Sequence, residues 1–211
     1  MSDSRAEVLR RIEAATVGVG ATEVPRRYRT TGECAPGTAG AIRRFVERVE
    51  DYRASVVSCA DAADVIGECV RSVLSERGVA GVLLAPGLAE LAQWLPGASV
   101  DHVGIDARAL DAVPAVVTGS VGAIAETGTI VLDASPRCGR RALSLVPDVH
   151  VCIVRAEDVY ESVPEALAVL DRTAPLTLIS GPSATSDIEL HRVEGVHGPR
   201  TLIVVLVGEP S

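Results

Sequence analysis

Three stretches of this chain concentrate the residue types that do chemistry. Residues 118–129 read TGSVGAIAETGT. Gly119 and Gly122 permit close backbone approach, and Ser120, Thr127 and Thr129 offer hydroxyls. Glu126 is a lone carboxylate among small residues; a tight turn and a short strand, with Glu126 in a cap or a structural hydrogen bond, is an equal reading of this stretch. Residues 180–189 read SGPSATSDIE. Ser180, Gly181, Ser183, Thr185 and Ser186 supply hydroxyls and backbone N–H groups that together hold an anion, with Asp187 at the same rim. The same hydroxyls serve equally to cap a helix. Residues 195–200 read GVHGPR. His197 suits acid–base work and Arg200 suits pairing with an anion. Arg140, in a basic turn, is a further partner for an anion or one half of a surface ion pair.

Other chemistries lack their residues. The 20 basic residues are all arginine, which excludes Schiff-base formation and a P-loop lysine. The five cysteines, Cys34, Cys59, Cys69, Cys138 and Cys152, form no C-x-x-C pair and read as buried small hydrophobes. Cys138 stands beside arginines that could activate it, yet the inert reading is preferred. His102, His150 and His191 are isolated, so no metal site is read, and no nucleotide-binding glycine motif follows a strand. No cofactor is read.

These stretches need a scaffold. A helix is expected over residues 3–15 and another over 38–52, where Ile42, Phe45, Val46 and Val49 share one face. Residues 17–37 read as a loop or mobile linker. From residue 55 onward short apolar runs alternate with helical stretches. Strands are expected at 55–58, 81–85, 99–103, 115–118, 129–132, 149–154, 176–179 and 201–207. Helices are expected from an Asp61 cap to Arg77, over 88–94, at 106–111 and over 163–171. Such runs, apolar on both faces, imply an α/β three-layer sandwich with a mostly parallel central sheet. The last strand, TLIVVLV, is expected near the centre. The division expected is an N-terminal helical segment and linker, 1–53, followed by an α/β domain, 54–211. The loop at 195–200 precedes its strand, so it reaches the carboxyl edge of the sheet only if that strand runs antiparallel or if the loop folds over.

Composition narrows the function. With 211 residues, a net charge of −8 and 2% aromatic residues, the chain has neither the basic patch nor the stacking platforms of a nucleic-acid binder. No apolar run approaches the ~18 residues of a membrane span, and the charged start has no apolar signal region. A cytoplasmic protein is expected.

The stretches 122–135 (GAIAETGTIVLDAS), 140–154, 180–190 (SGPSATSDIEL) and 193–207 (VEGVHGPRTLIVVLV), in this order and spacing, resemble the lactate-utilization protein C family, the LUD-domain proteins. The resemblance covers most of residues 54–207. It implies a fold like that of sugar-phosphate isomerases and CoA-transferases. It also implies a subunit or accessory protein of a system oxidising L-lactate to pyruvate, without its own iron–sulfur cluster. Iron–sulfur protein subunits would be its partners and a small carboxylate or phosphate its ligand. The alternative is a stand-alone enzyme acting on a phosphorylated or CoA-linked small molecule, with Glu126 as base or nucleophile.

Overall fold

The computed structural model describes residues 4–20, 23–186, 192–194 and 198–209. An exposed helix α1 (Ser4–Thr16) buries none of its residues. After an extended stretch comes α2 (Ala39–Asp51), whose Ala41, Ile42, Phe45 and Val49 are buried. That spacing is the apolar face expected from the sequence. Full burial of a Phe side chain contributes about 2–3 kcal/mol.

Among the described residues the main sheet has six strands: β1 (Ser55–Cys59), β2 (Val82–Leu84), β3 (Ala98–Val100), β4 (Ala115–Gly119), β7 (Val149–Arg155) and β12 (Thr201–Val207). Their spatial order is β1-β12-β7-β4-β2-β3 and every pairing is parallel. The last strand therefore lies inside the sheet, as its apolar sequence requires. Connections between parallel strands are supplied by α3 (Ala63–Glu76), a 3₁₀ helix (Pro86–Trp94) and the short α4 (Ala107–Asp111). Gly78, at φ +64°, ends α3, with backbone bonds from Gly78 and Val79 back to Ser75 and Leu74. The expected cap is corrected: Ala62 holds the N-cap position without a side-chain bond, and Asp61 instead pairs with Arg155.

Among the described residues a second sheet of four strands forms; two of its strands were expected, at 129–132 and 176–179, but not the separate sheet. It orders β8 (Val159–Tyr160), β5 (Gly122–Ile124), β6 (Thr129–Leu132) and β9 (Thr177–Ile179), joined by α5 (Val163–Val169). The stretch 118–129 contains a buried strand and a hairpin turn, the turn-and-short-strand reading of its sequence. A separate hairpin pairs β10 (Ala184–Ser186) with β11 (Arg192–Glu194).

The two faces of the main sheet bury different partners. Val151, Ile153, Ile203 and Val205 pack with α3 and the 3₁₀ helix. Cys152, Val154, Leu202 and Val204 pack with α2 and the second sheet. The alternation is the two-residue period of a strand. Among the described residues, no helix is long and apolar enough to cross a membrane.

Candidate functional site

A cavity of about 240 Å³ opens where the two sheets meet. Its walls come from the amino ends of β7 (His150) and β12 (Leu202), the carboxyl end of β9 (Leu178, Ile179), the turn 180–183, Gly198 and Pro199, and the Arg141–Ser144 turn. Polar groups converge there. Arg141 donates from Nη1 to Ser144 Oγ at 2.6 Å, which fixes its guanidinium at the mouth. Ser180 is held by Thr129, Oγ to Oγ 2.7 Å, and Thr129 is held in turn by Thr127 at 2.7 Å. The Ser183 N–H donates to the Pro199 carbonyl at 2.8 Å, tying the two loops together. Gly181, at φ +82°, lies so close to Tyr52 that a Cβ there would be 2.7 Å from the Tyr52 Cβ.

His150 is the buried member of this wall. It is 1% exposed, and its Nε2 lies 2.8 Å from Thr118 Oγ1. Burial pushes its pKa down from 6.5 to about 4, and the nearby Arg141 cation pushes the same way. The imidazole is therefore neutral at physiological pH. Cation, hydroxyls and a neutral imidazole around so small a volume suit a small anion with a second polar group.

The sequence-predicted residues divide among several places. Ser180, Gly181 and Ser183 line this cavity, with Thr127 and Thr129 behind them. Thr185 and Ser186 fall in β10. Asp187 and His197 lie outside the described residues. Gly119 ends β4, and the Arg137 side chain fills the space a Cβ would take. Ser120 is fully buried and donates to the Ile153 carbonyl at 3.2 Å. Gly122 opens β5, opposite Val131. Arg140 forks onto the buried Asp101, Nε and Nη2 each at 2.9 Å, and also donates to the Ile105 carbonyl. The next residue, Arg141, is the one at the cavity. Arg200 is exposed and lies 3.5 Å from Asp148. Because β12 is parallel to its neighbours, Arg200 stands at the amino edge of the main sheet.

Glu126 occupies a different setting. Arg29 grips both its oxygens, at 2.6 and 2.7 Å, and this hydrogen-bonded pairing holds the carboxylate below its ordinary pKa. The segment around Arg29 is fastened beside it. The Gly32 N–H donates to Glu165 at 3.0 Å, and the Cys34 N–H donates to the fully buried Glu161 at 2.6 Å. Arg44 also pairs with Glu161. Gly32 is required, since any Cβ would collide with the Glu161 side chain.

Sequence reasoning missed Arg29, Arg141, His150 and Glu161. A signal existed for His150: a polar ring inside the apolar run VHVCIV must find a partner when buried. None existed for Arg29, whose partner is 97 residues away.

Among the described residues, no three His, Cys, Asp or Glu side chains converge as a metal site. The thiols of Cys59 and Cys152 are pushed by burial up to about 12, and that of Cys138 to about 11.

Fold and site together define an α/β protein with a small polar cleft between a parallel sheet and a mixed one. The LUD domain model matches residues 39–207. A lactate utilization protein C from Deinococcus radiodurans is 41% identical over 179 residues, 81% of each chain. One from Bacillus subtilis is 34% identical over 101 residues, 44% of this chain and 42% of that one. A crystal structure of a DUF162 family protein from Deinococcus radiodurans superposes with a TM-score of 0.66 at 34% identity, covering 81% of this chain and 98% of that one. This chain belongs to the LUD domain family.

Proposed function

We propose that this protein is a subunit or accessory protein of an L-lactate-oxidising system and that the cavity beside Arg141 holds that system's small carboxylate. The observation that carries the reading is the convergence of Arg141, Ser180, Ser183 and the neutral His150 on about 240 Å³. A carboxylate needs a cation and hydrogen-bond donors, and a 2-hydroxy or 2-oxo acid needs one more polar group beside it. The names of the relatives as lactate utilization proteins support the same ligand class. In this reading the chain supplies recognition, and separate iron–sulfur proteins carry the electrons.

The test is calorimetric titration of L-lactate and pyruvate into the protein and into Arg141→Gln. Loss of one charge-assisted contact corresponds to about 10- to 100-fold weaker binding. Equal affinity of the two proteins, or no saturable binding by the unaltered one, would remove the cavity from the reading.

A further inference from the structure

A second polar crevice, of about 150 Å³, lies at the opposite, carboxyl edge of the main sheet. Ile153 and Arg155 at the end of β7, and Val207 at the end of β12, form its floor. Ala62 and Ala63 at the start of α3, Leu88 and Leu91 of the 3₁₀ helix, and the loop residue Arg137 complete it. It shares no lining residue with the cavity beside Arg141.

The loop bearing Arg137 is held here by two glycines. A Cβ on Gly87 would sit 2.8 Å from the Arg137 nitrogen, and one on Gly119 would fall inside the Arg137 side chain. Both glycines also bond this loop, Gly87 N–H to the Pro136 carbonyl at 2.7 Å and Gly119 N–H to the Arg137 carbonyl at 2.9 Å. The backbone is thus pinned over the strand ends, and Arg137 is delivered to the crevice.

Its guanidinium is left with donors to spare. Among the described residues the nearest carboxylate is Asp158, at 3.9 Å, and no side-chain hydrogen bond reaches it. Arg155, facing the same space, pairs among the described residues through Nη1 alone, with Asp61 at 2.5 Å and Glu157 at 4.0 Å. A guanidinium carries five N–H donors, and a half-covered one with idle donors favours an oxyanion. Two arginines from separate elements match a tetrahedral phosphoryl group, whose oxygens point in several directions. One planar carboxylate is matched by a single fork. The crevice is also lined by Asp61, whose charge is paired with Arg155, and by Glu90, a carboxylate that can accept a hydrogen bond from a ligand hydroxyl.

We propose that this crevice is a binding site for a phosphoryl group, free or as a small phosphate monoester, held by Arg137 and Arg155. The site stands independently of the lactate reading. The experiment titrates inorganic phosphate, glycerol 3-phosphate and acetate into the full chain by calorimetry. It repeats the titrations with Arg137→Gln, with Arg141→Gln, and with Ala63→Asp, which adds a carboxylate to the wall and leaves both arginines in place. The expected result is saturable phosphate binding that weakens about tenfold or more in Arg137→Gln and Ala63→Asp, the loss of one charge-assisted bond. Arg141→Gln should bind phosphate unchanged. A tighter monoester would identify a phosphorylated metabolite as the ligand, and equal affinity would identify free phosphate. The proposal is overturned by absent saturable phosphate binding, by acetate binding as tightly, or by a loss that follows Arg141→Gln rather than Arg137→Gln.

Discussion

Acidification should destabilise this protein through His150 in a measurable and separable way. The ring is buried between Thr118 and the cavity wall, and its pKa falls from 6.5 to about 4 on folding. In the pH range between those values the unfolded chain binds a proton that the folded chain refuses, so stability falls as pH falls. Above about pH 7 both forms are neutral and the histidine contributes no pH dependence. Below about 4 both are protonated and the loss is complete. At 1.36 kcal/mol per tenfold change in proton affinity, the full gap corresponds to about 3 kcal/mol, most of it lost by about pH 4.5. That is a large share of the about 5–15 kcal/mol that stabilises a domain. The assay is urea denaturation at several pH values, comparing the protein with His150→Gln. Glutamine still reaches Thr118 and carries no proton in this range. The variant is less stable at neutral pH because it fills the site less well, and the readout is the difference in slope against pH. The unaltered protein should lose about 3 kcal/mol more than the variant on going from about pH 7.5 to about pH 4. Parallel pH profiles would refute the burial and the neutral state of the ring.

Two further outcomes follow from the packing. Arg140→Ala leaves the buried Asp101 without its two 2.9 Å hydrogen bonds, and should lower stability by about 2–3 kcal/mol in chemical denaturation, without altering carboxylate binding at Arg141. At neutral pH a thiol reagent should leave Cys138 and Cys152 unmodified until the protein unfolds, because both are buried and their thiols are held protonated. Rapid labelling of either in the folded protein, read by mass spectrometry, would contradict that packing.

Much of this architecture is local and therefore legible. The strands β7 and β12 are apolar on both faces, a pattern that only a sheet covered on two sides explains, and both proved to be interior and parallel. The face Ile42, Phe45 and Val49 marked α2 by its spacing alone. The hydroxyl-rich turn at Ser180–Ser183 announced itself by composition, and it lines a cavity. Local pattern, turn chemistry and burial are properties of neighbouring residues, and a sequence displays them directly.

Tertiary structure decided the rest. Nothing in a basic turn tells Arg140 from Arg141; Asp101, 39 residues away, takes the first and leaves the second at the cavity. Of the second sheet, β6 and β9 were legible as strands, whereas β5 and β8, three and two residues long, are too short for a period to emerge, and the pairing that makes a separate sheet is tertiary. Glu126 reads as a free carboxylate until the chain brings Arg29 across to grip both its oxygens. Likewise His150 and Thr118 are 32 residues apart and meet only because β4 and β7 lie side by side. Charge pairing and the desolvation of a ring act through space. Their partners are set by which strands adjoin, and that is fixed by the whole core rather than by any single stretch of the chain.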